Sequence, residues 1–275
     1  MAYSRRGNNR NFQVVSEREL ATALITGATA GIGESFARLL ASKGHDLILV
    51  ARDLERLNQR AENFRDQYKV SVEVIQADLS IASELARVES RLAQGGVDVL
   101  INNAGFGINK SFLVSAIDAE QQLLDVLVTA PMRLMHAVLP IMKAKNAGTI
   151  INISSVAGWI AGGTYSAAKS YLTVLTESLH TELSATKINV HALAPGFTRT
   201  EFHQRGRMKM TGLPNYMWLN ADRVVAAAWK ASQKGRAISV PGWQYKILST
   251  ISRFGPRPLV RNIGMNVRKK QRQPE

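Results

Sequence analysis

Cysteine is absent from this 275-residue chain, which excludes a disulfide framework and any thiolate metal site and fits a reducing compartment. The first twenty residues, MAYSRRGNNRNFQVVSEREL, lack the apolar core of a signal peptide, and no uninterrupted apolar run spans a bilayer. A cytoplasmic protein is expected. Acid is scarce too: 21 Asp and Glu stand against 35 Lys and Arg, a net charge of +14. The excess sits at the ends. Residues 1–10 hold Arg5, Arg6 and Arg10 with no acid, and residues 246–275 hold eight Lys or Arg against Glu275 alone. Together the ends carry +10 of the +14, which leaves little for a basic nucleic-acid-binding face on the body of the chain. Nucleic acid is therefore not an expected partner. The basic ends are either solvated or lie on an anionic surface, peripheral membrane contact included.

What is present is globular patterning, 45% hydrophobic with 20% charged. Short apolar runs (ATALITGA, DLILVA, SVEVIQA, VDVLINNA, GTIINIS, KINVHALA, AISVPG) read as strands and alternate with helical segments. That alternation predicts an α/β fold, a parallel sheet with helices on both faces. Ile32, Phe36, Leu39 and Leu40 mark one helical face ahead of Gly44. Leu54, Leu57, Ala61 and Phe64 mark a second, and Leu172, Leu175, Leu179 and Leu183 a third. We divide the chain into a basic extension (1–19), a single catalytic domain (20–245) and a basic tail (246–275), in which Pro256 and Pro258 interrupt any helix. The segment 199–219 follows neither period and is placed where a substrate lid would lie.

TGATAGIG (26–33) follows a strand and opens a helix, so Gly27, Gly31 and Gly33 allow a tight turn and a helix N-terminus facing a phosphate; a turn made for packing needs the same glycines. At the end of the second strand Ala51 and Arg52 stand where a carboxylate would select NAD. Arg52 can pair with the 2′-phosphate of NADP(H), or merely be solvated, while Asp53 reads as a helix N-cap. Tyr165 and Lys169 lie one turn apart on a helix. A tyrosine, with a free pKa of about 10, is a poor base at neutral pH, but a cation one turn away favours the phenolate. Such a Tyr can protonate a carbonyl oxygen as hydride reaches the carbon, while a Ser at the preceding strand end holds that oxygen. Alone, the pair reads equally as core plus surface.

Taken together, TGATAGIG, ADL (77–79), NNAG (102–105), SS with YSAAK (154–169) and PGFTRT (195–200) resemble the short-chain dehydrogenase/reductase family over roughly residues 20–200, and ARDLERL is similar to its NADP-preferring members. The resemblance implies a Rossmann-type, doubly wound, seven-stranded parallel sheet and reversible carbonyl/alcohol chemistry with NADP(H). It implies Tyr165 as acid/base, Lys169 on the nicotinamide ribose and Ser155 on the substrate carbonyl. Gly27, Thr29, Gly31, Ile32 and Gly33 would line the pyrophosphate, and Arg52 the 2′-phosphate. Asp78 with Leu79 would take the adenine, Asn103, Ala104 and Gly105 the adenosine ribose, and Pro195, Gly196, Thr198 and Thr200 the nicotinamide end. Asn102 and Asn103 read equally as stitches between strands, and Thr198 as a cap. A homo-oligomer, dimer or tetramer, is implied by analogy.

Two departures stand out. DVLVTAP (125–131) places Leu127 where many members carry an Asn that holds a proton-relay water, which predicts slower or re-routed proton transfer. The loop VAGWIAGGT gives nine residues between Ser155 and Tyr165, fewer than most relatives have, and its wall falls to Trp159 and Ile160 unless these are core. Met208, Met210, Met217 and Trp218 point to an apolar or lipid-like small-molecule substrate, or to plain packing. A competing reading keeps the fold as an NADP(H) sensor with weakened chemistry. Leu127 favours it, and the retained Ser155, Tyr165 and Lys169 oppose it.

Overall fold

The computed structural model describes residues 21–206, 213–258 and 260–262. The expectations placed on residues 1–19, on Met208 and Met210 and on the far end of the tail lie outside them.

All seven expected strands form. They are β1 (Thr22–Thr26), β2 (Asp46–Ala51), β3 (Val72–Gln76), β4 (Val99–Asn102), β5 (Gly148–Ile153), β6 (Ile188–Leu193) and β7 (Ile238–Ser239). Each pairs in parallel, in the order β3-β2-β1-β4-β5-β6-β7. A parallel sheet is covered on both faces, so its central strands are buried throughout, as Leu24, Ile25, Ile48, Leu49, Leu100, Ile101, Ile150 and Ile151 are. On one face pack α1 (Gly31–Ser42), α2 (Leu54–Tyr68) and α8 (Ala221–Ser232), through Phe36, Leu40, Leu57, Phe64 and Val225. On the other lie α3 (Ala82–Ala93), α5 (Ala130–Lys145) and α6 (Thr164–Glu182), through Leu85, Val88, Leu134, Val138 and Leu172. Each fully buried side chain of that size contributes about 2 kcal/mol through lost contact with water. Leu54 departs from the expected apolar face of α2: as the first helical residue it is exposed, and Leu57, Ala61 and Phe64 do the packing.

The strand order reverses between β1 and β4, and ligands of such sheets bind beyond the carboxyl ends of the strands at that switch. The elements around it are α4 (Ile117–Leu124), a π turn (Asp125–Thr129), a 3₁₀ turn (Val156–Trp159), the short α7 (Phe202–Arg205) and α9 (Trp243–Phe254). The helical stretch Ile117–Lys145 is long and apolar enough to cross a membrane by length and composition, beyond what the sequence reading allowed. Here Leu134, Met135, Val138 and Met142 are spent on the core. The expected division at 245/246 falls inside α9, which stops at Phe254, ahead of Pro256.

Candidate active site

The site gathers the carboxyl ends of β1 to β6. After β1 the chain turns through Gly27 (φ +66°) and Gly31 (φ +59°), conformations that L side chains rarely adopt. α1 then begins at Gly31 with Ala30 as a cap that offers no side-chain acceptor, so its first N–H groups are left for a bound anion. The three glycines do different work. A Cβ on Gly31 would come within 2.9 Å of the Thr200 side chain, which sets PGFTRT against this turn. A Cβ on Gly33 would collide with the Gly27 carbonyl and the Asn103 amide, so that glycine serves packing. Thr29 is buried in the turn.

At the ends of β2 and β3, Arg52 is exposed and its Nη1 lies 3.5 Å from Asp78 Oδ2. Asp78 accepts from the Ser80 amide and hydroxyl, and these bonds, with Arg52, hold its carboxyl below the usual range against the burial that raises it. Asp53 accepts from the Arg56 amide at 3.0 Å, as an N-cap should. Leu79, expected beside Asp78 at the adenine, is buried in a cluster with Leu85 and Leu134. Asn103 donates to the carbonyls of Thr26 and Gly27 at 2.9 and 3.1 Å, and Asn102 donates to Asn152 Oδ1 at 2.8 Å. The stitching reading of this pair therefore describes both side chains. Thr198 is buried, donates to the Gly196 carbonyl and bridges to Leu219.

β5 ends in two serines with different surroundings. Ser154 is buried and bound to the Lys169 carbonyl and to Thr173. Ser155 caps the 3₁₀ turn by accepting from the Ala157 amide at 3.1 Å, and its hydroxyl keeps a proton to give. Lys169, within α6, is buried; its Nζ donates to the Ile153 carbonyl at 2.6 Å and lies 5.8 Å from the centre of the Tyr165 ring. Burial pulls its pKa down to about 8, which leaves it an ammonium at neutral pH. Phe202 of α7 lies 6.0 Å from Tyr165, between ring centres, so this part of the 199–219 segment stands beside the tyrosine.

A polar triad at the carboxyl end of a doubly wound sheet, beside a glycine turn open to an anion, has a known counterpart: residues 21–210 match the short chain dehydrogenase family. This chain belongs to that family. It is thus an oxidoreductase of CH–OH and C=O groups. Its fold is similar to that of a short-chain dehydrogenase from Sphingobium yanoikuyae in complex with NADPH (34% identity, TM-score 0.79, 93% of this chain and 98% of that one). It is likewise similar to the bulky-bulky ketone specific alcohol dehydrogenase of Comamonas testosteroni (31% identity, TM-score 0.75, 94% and 97%). The very-long-chain 3-oxoacyl-CoA reductase-A of Danio rerio is 28% identical over 257 residues, 91% of this chain and 79% of its own.

In this dehydrogenase Leu127 sits in the π turn, where the Ala130 amide reaches the Asp125 carbonyl five residues back. Its side chain lies over Gly105, at 2.7 Å from where a Cβ there would stand, and Lys169 Nζ lies 3.9 Å from the same point. Beside it is a cavity of about 10 Å³, lined by Thr26, Asn102, Leu127, Pro131 and Lys169 among others. Asn102 Oδ1 is buried there without a hydrogen-bond partner among the described residues. Pro131 has no N–H, so the Leu127 carbonyl one turn back lacks its α-helical donor.

The sequence reading missed three contributors. Arg56 grips Glu201 with two bonds, 3.0 and 2.8 Å, across 145 positions, and this pairing, with Arg205, brings the Glu201 carboxyl down to about 2. Tyr245 of α9 is buried, fills the space a Gly196 Cβ would need, accepts from the Phe197 amide and donates to the Met217 carbonyl. Asn152 extends the Asn102 bond to Thr176. Nothing local marks the first two, since their partners lie far away in sequence. Of the expected pocket residues, Trp159 closes the 3₁₀ turn and stacks on Arg253 (5.3 Å), with Ile160 next in the chain. Trp218 packs on Phe197 and Arg199, so the plain packing reading fits it, and Met217 takes part through its carbonyl.

Proposed function

We propose that this dehydrogenase reduces a bulky, apolar carbonyl, ketone or acyl-type, to a secondary alcohol, with Tyr165, Lys169 and Ser155 as its acid/base set. The carrying observation is the buried Lys169 ammonium beside the Tyr165 ring. The cofactor is NADP(H), and the residues fit it. The α1 start offers unclaimed amides to a pyrophosphate, Arg52 stands exposed at the end of β2, and no carboxylate occupies the place that would select NAD. Bound there, NADPH supplies a hydride.

The chain's own residues do the rest. Ser155 donates a hydrogen bond to the carbonyl oxygen and fixes its position. As the carbon accepts the hydride, Tyr165 gives its hydroxyl proton to that oxygen and is left as phenolate. Lys169, one turn below and positively charged, stabilises the phenolate. Leu127 cannot hydrogen-bond, so the proton is replaced by another route: a water in the cavity beside it, held by Asn102 Oδ1, the Leu127 carbonyl and Lys169 Nζ. Three partners and this much room suit one water.

The described start of the 199–219 segment, residues 199–206, acts as the edge of a lid and is tied to α2 by the Arg56–Glu201 pair. Trp159 and Ile160 wall the pocket. The Comamonas and Danio relatives act, by their names, on bulky ketones and very-long-chain acyl thioesters, which supports the substrate class. The exposed apolar residues Met132, Tyr171 and Val174 of α5 and α6 favour a dimer or tetramer formed there. The test is turnover: the purified chain with NADPH or NADH and a panel of aryl ketones and 3-oxoacyl thioesters. Consumption of NADPH on bulky members supports the reading. Tight NADPH binding with no turnover on any member would favour the sensor.

A further inference from the structure

α9 is built inside out. Its buried side consists of Tyr245, Ser249 and Ser252, and its outward side of Trp243 (68% exposed), Ile247 (54%), Ile251 (46%) and Phe254 (80%). At 100° per residue these four fall within an arc of about 80°, a continuous apolar stripe. An ordinary surface helix turns such a stripe inward. Here the inward side is already committed, because the Tyr245 ring fills the space at Gly196 and its hydroxyl is bonded to Phe197 and Met217. Solvent is an unfavourable neighbour for four large apolar side chains in a row.

We propose that this stripe docks the enzyme on an anionic phospholipid surface. Charge decides between that and a second copy of the chain. Lys246 and Arg253 flank one edge of the stripe, Arg257 and Arg261 follow, and the sequence then runs on through Arg268, Lys269, Lys270 and Arg272 with Glu275 as the single acid. Two copies meeting through α9 would press these basic ends together, whereas an anionic bilayer neutralises them and accepts the apolar side chains. Tryptophan at one end of the stripe suits the water–lipid boundary. Arg253 links the stripe to the pocket: its guanidinium lies 5.3 Å from the Trp159 ring, 5.8 Å from the Phe254 ring and 3.8 Å from the Glu177 carboxylate. Docking would thus set the pocket wall against the membrane, where a lipid-dissolved carbonyl resides. Only this last step rests on the function proposed above.

Flotation of the full chain with vesicles of phosphatidylcholine, alone or mixed with phosphatidylglycerol, tests the docking without any substrate. Binding is expected to the mixed vesicles, to weaken with salt, and to fall at least about tenfold in Ile247→Ser/Ile251→Ser/Phe254→Ser and in Lys246→Gln/Arg257→Gln/Arg261→Gln. NADPH affinity, measured alongside, should be unchanged and reports separately on the catalytic reading. If the triple apolar variant does not fold, Phe254→Ser alone carries the test. No binding, or binding indifferent to these changes, overturns the proposal. So does a wild-type dimer that the apolar variant converts to monomer in light scattering while vesicles are ignored, since a second copy would then be the cover.

Discussion

The half of this site that we assign to the cofactor is made largely of backbone, and the half that we assign to the substrate of side chains. Around β1 and α1, glycines set the turn, the helix start has no side-chain cap, and the close approaches at Gly27 and Gly33 are to main chain and the Asn103 amide. Beyond β5, the proposed chemistry rests on the individual groups of Ser155, Tyr165 and Lys169 and on the proposed wall at Trp159 and Ile160. A backbone-made half tolerates little change of residue. A side-chain-made half can keep its fold and still lose its chemistry.

That contrast can be broken by experiment. The largest effect is expected of Tyr165→Phe: turnover should fall about a thousandfold while NADPH affinity stays within about twofold, read by steady-state kinetics and fluorescence titration. Turnover that survives unchanged would sink the acid/base assignment. Arg52→Ala should lower the preference for NADPH over NADH by about ten- to a hundredfold, the worth of a charge-assisted phosphate contact, and an unaltered preference would refute its role. Gly33→Ala forces a methyl into closed space and should cost about 1–3 kcal/mol of stability in denaturant melts together with cofactor affinity, a double loss that no pocket residue should reproduce.

Smaller effects probe the substrate half. Leu127→Asn offers the cavity one more polar side chain, and turnover should rise a few-fold at most if Asn102 and Lys169 hold the proposed water. A rise of about a hundredfold would show that the existing route is poor. Lys169 is charged below a pH of about 8, so reduction should be level there and decline above. Its folded value lies under the unfolded one, so burying the ammonium costs stability below pH 8, and the cost shrinks as pH climbs towards 10.5. The melting temperature of the cofactor-free wild type relative to Lys169→Met should accordingly improve across that range.

What was legible in the sequence follows the same line. Strands announced themselves by β-branched apolar runs, and the β1–α1 turn and the Tyr165/Lys169 pair by fixed local spacing. Family motifs then fixed their meaning. Long-range side-chain partners left no such trace. Arg56 and Glu201 are unremarkable until the fold sets them face to face, and the buried tyrosine of α9 was assigned to the boundary of a loose tail. α9 was missed for a physical reason: periodicity marks an apolar face, and it cannot say whether that face turns in or out. Leu79 shows the same limit: its neighbour Asp78 is half-exposed at the strand end while its own side chain joins a buried cluster, a difference that the motif alone does not carry.

The short Ser155–Tyr165 loop has a further consequence, through Gly158. A Cβ there would stand 3.0 Å from the main chain of Lys169 and Ser170, so the loop lies directly on the catalytic helix, with no layer of side chains between them. The proposed wall and the proposed catalytic helix are therefore in direct main-chain contact. An enzyme built this way measures its substrates with a fixed gauge instead of a yielding glove: along a homologous series of ketones, activity should end at a threshold of width and not fade with each added carbon.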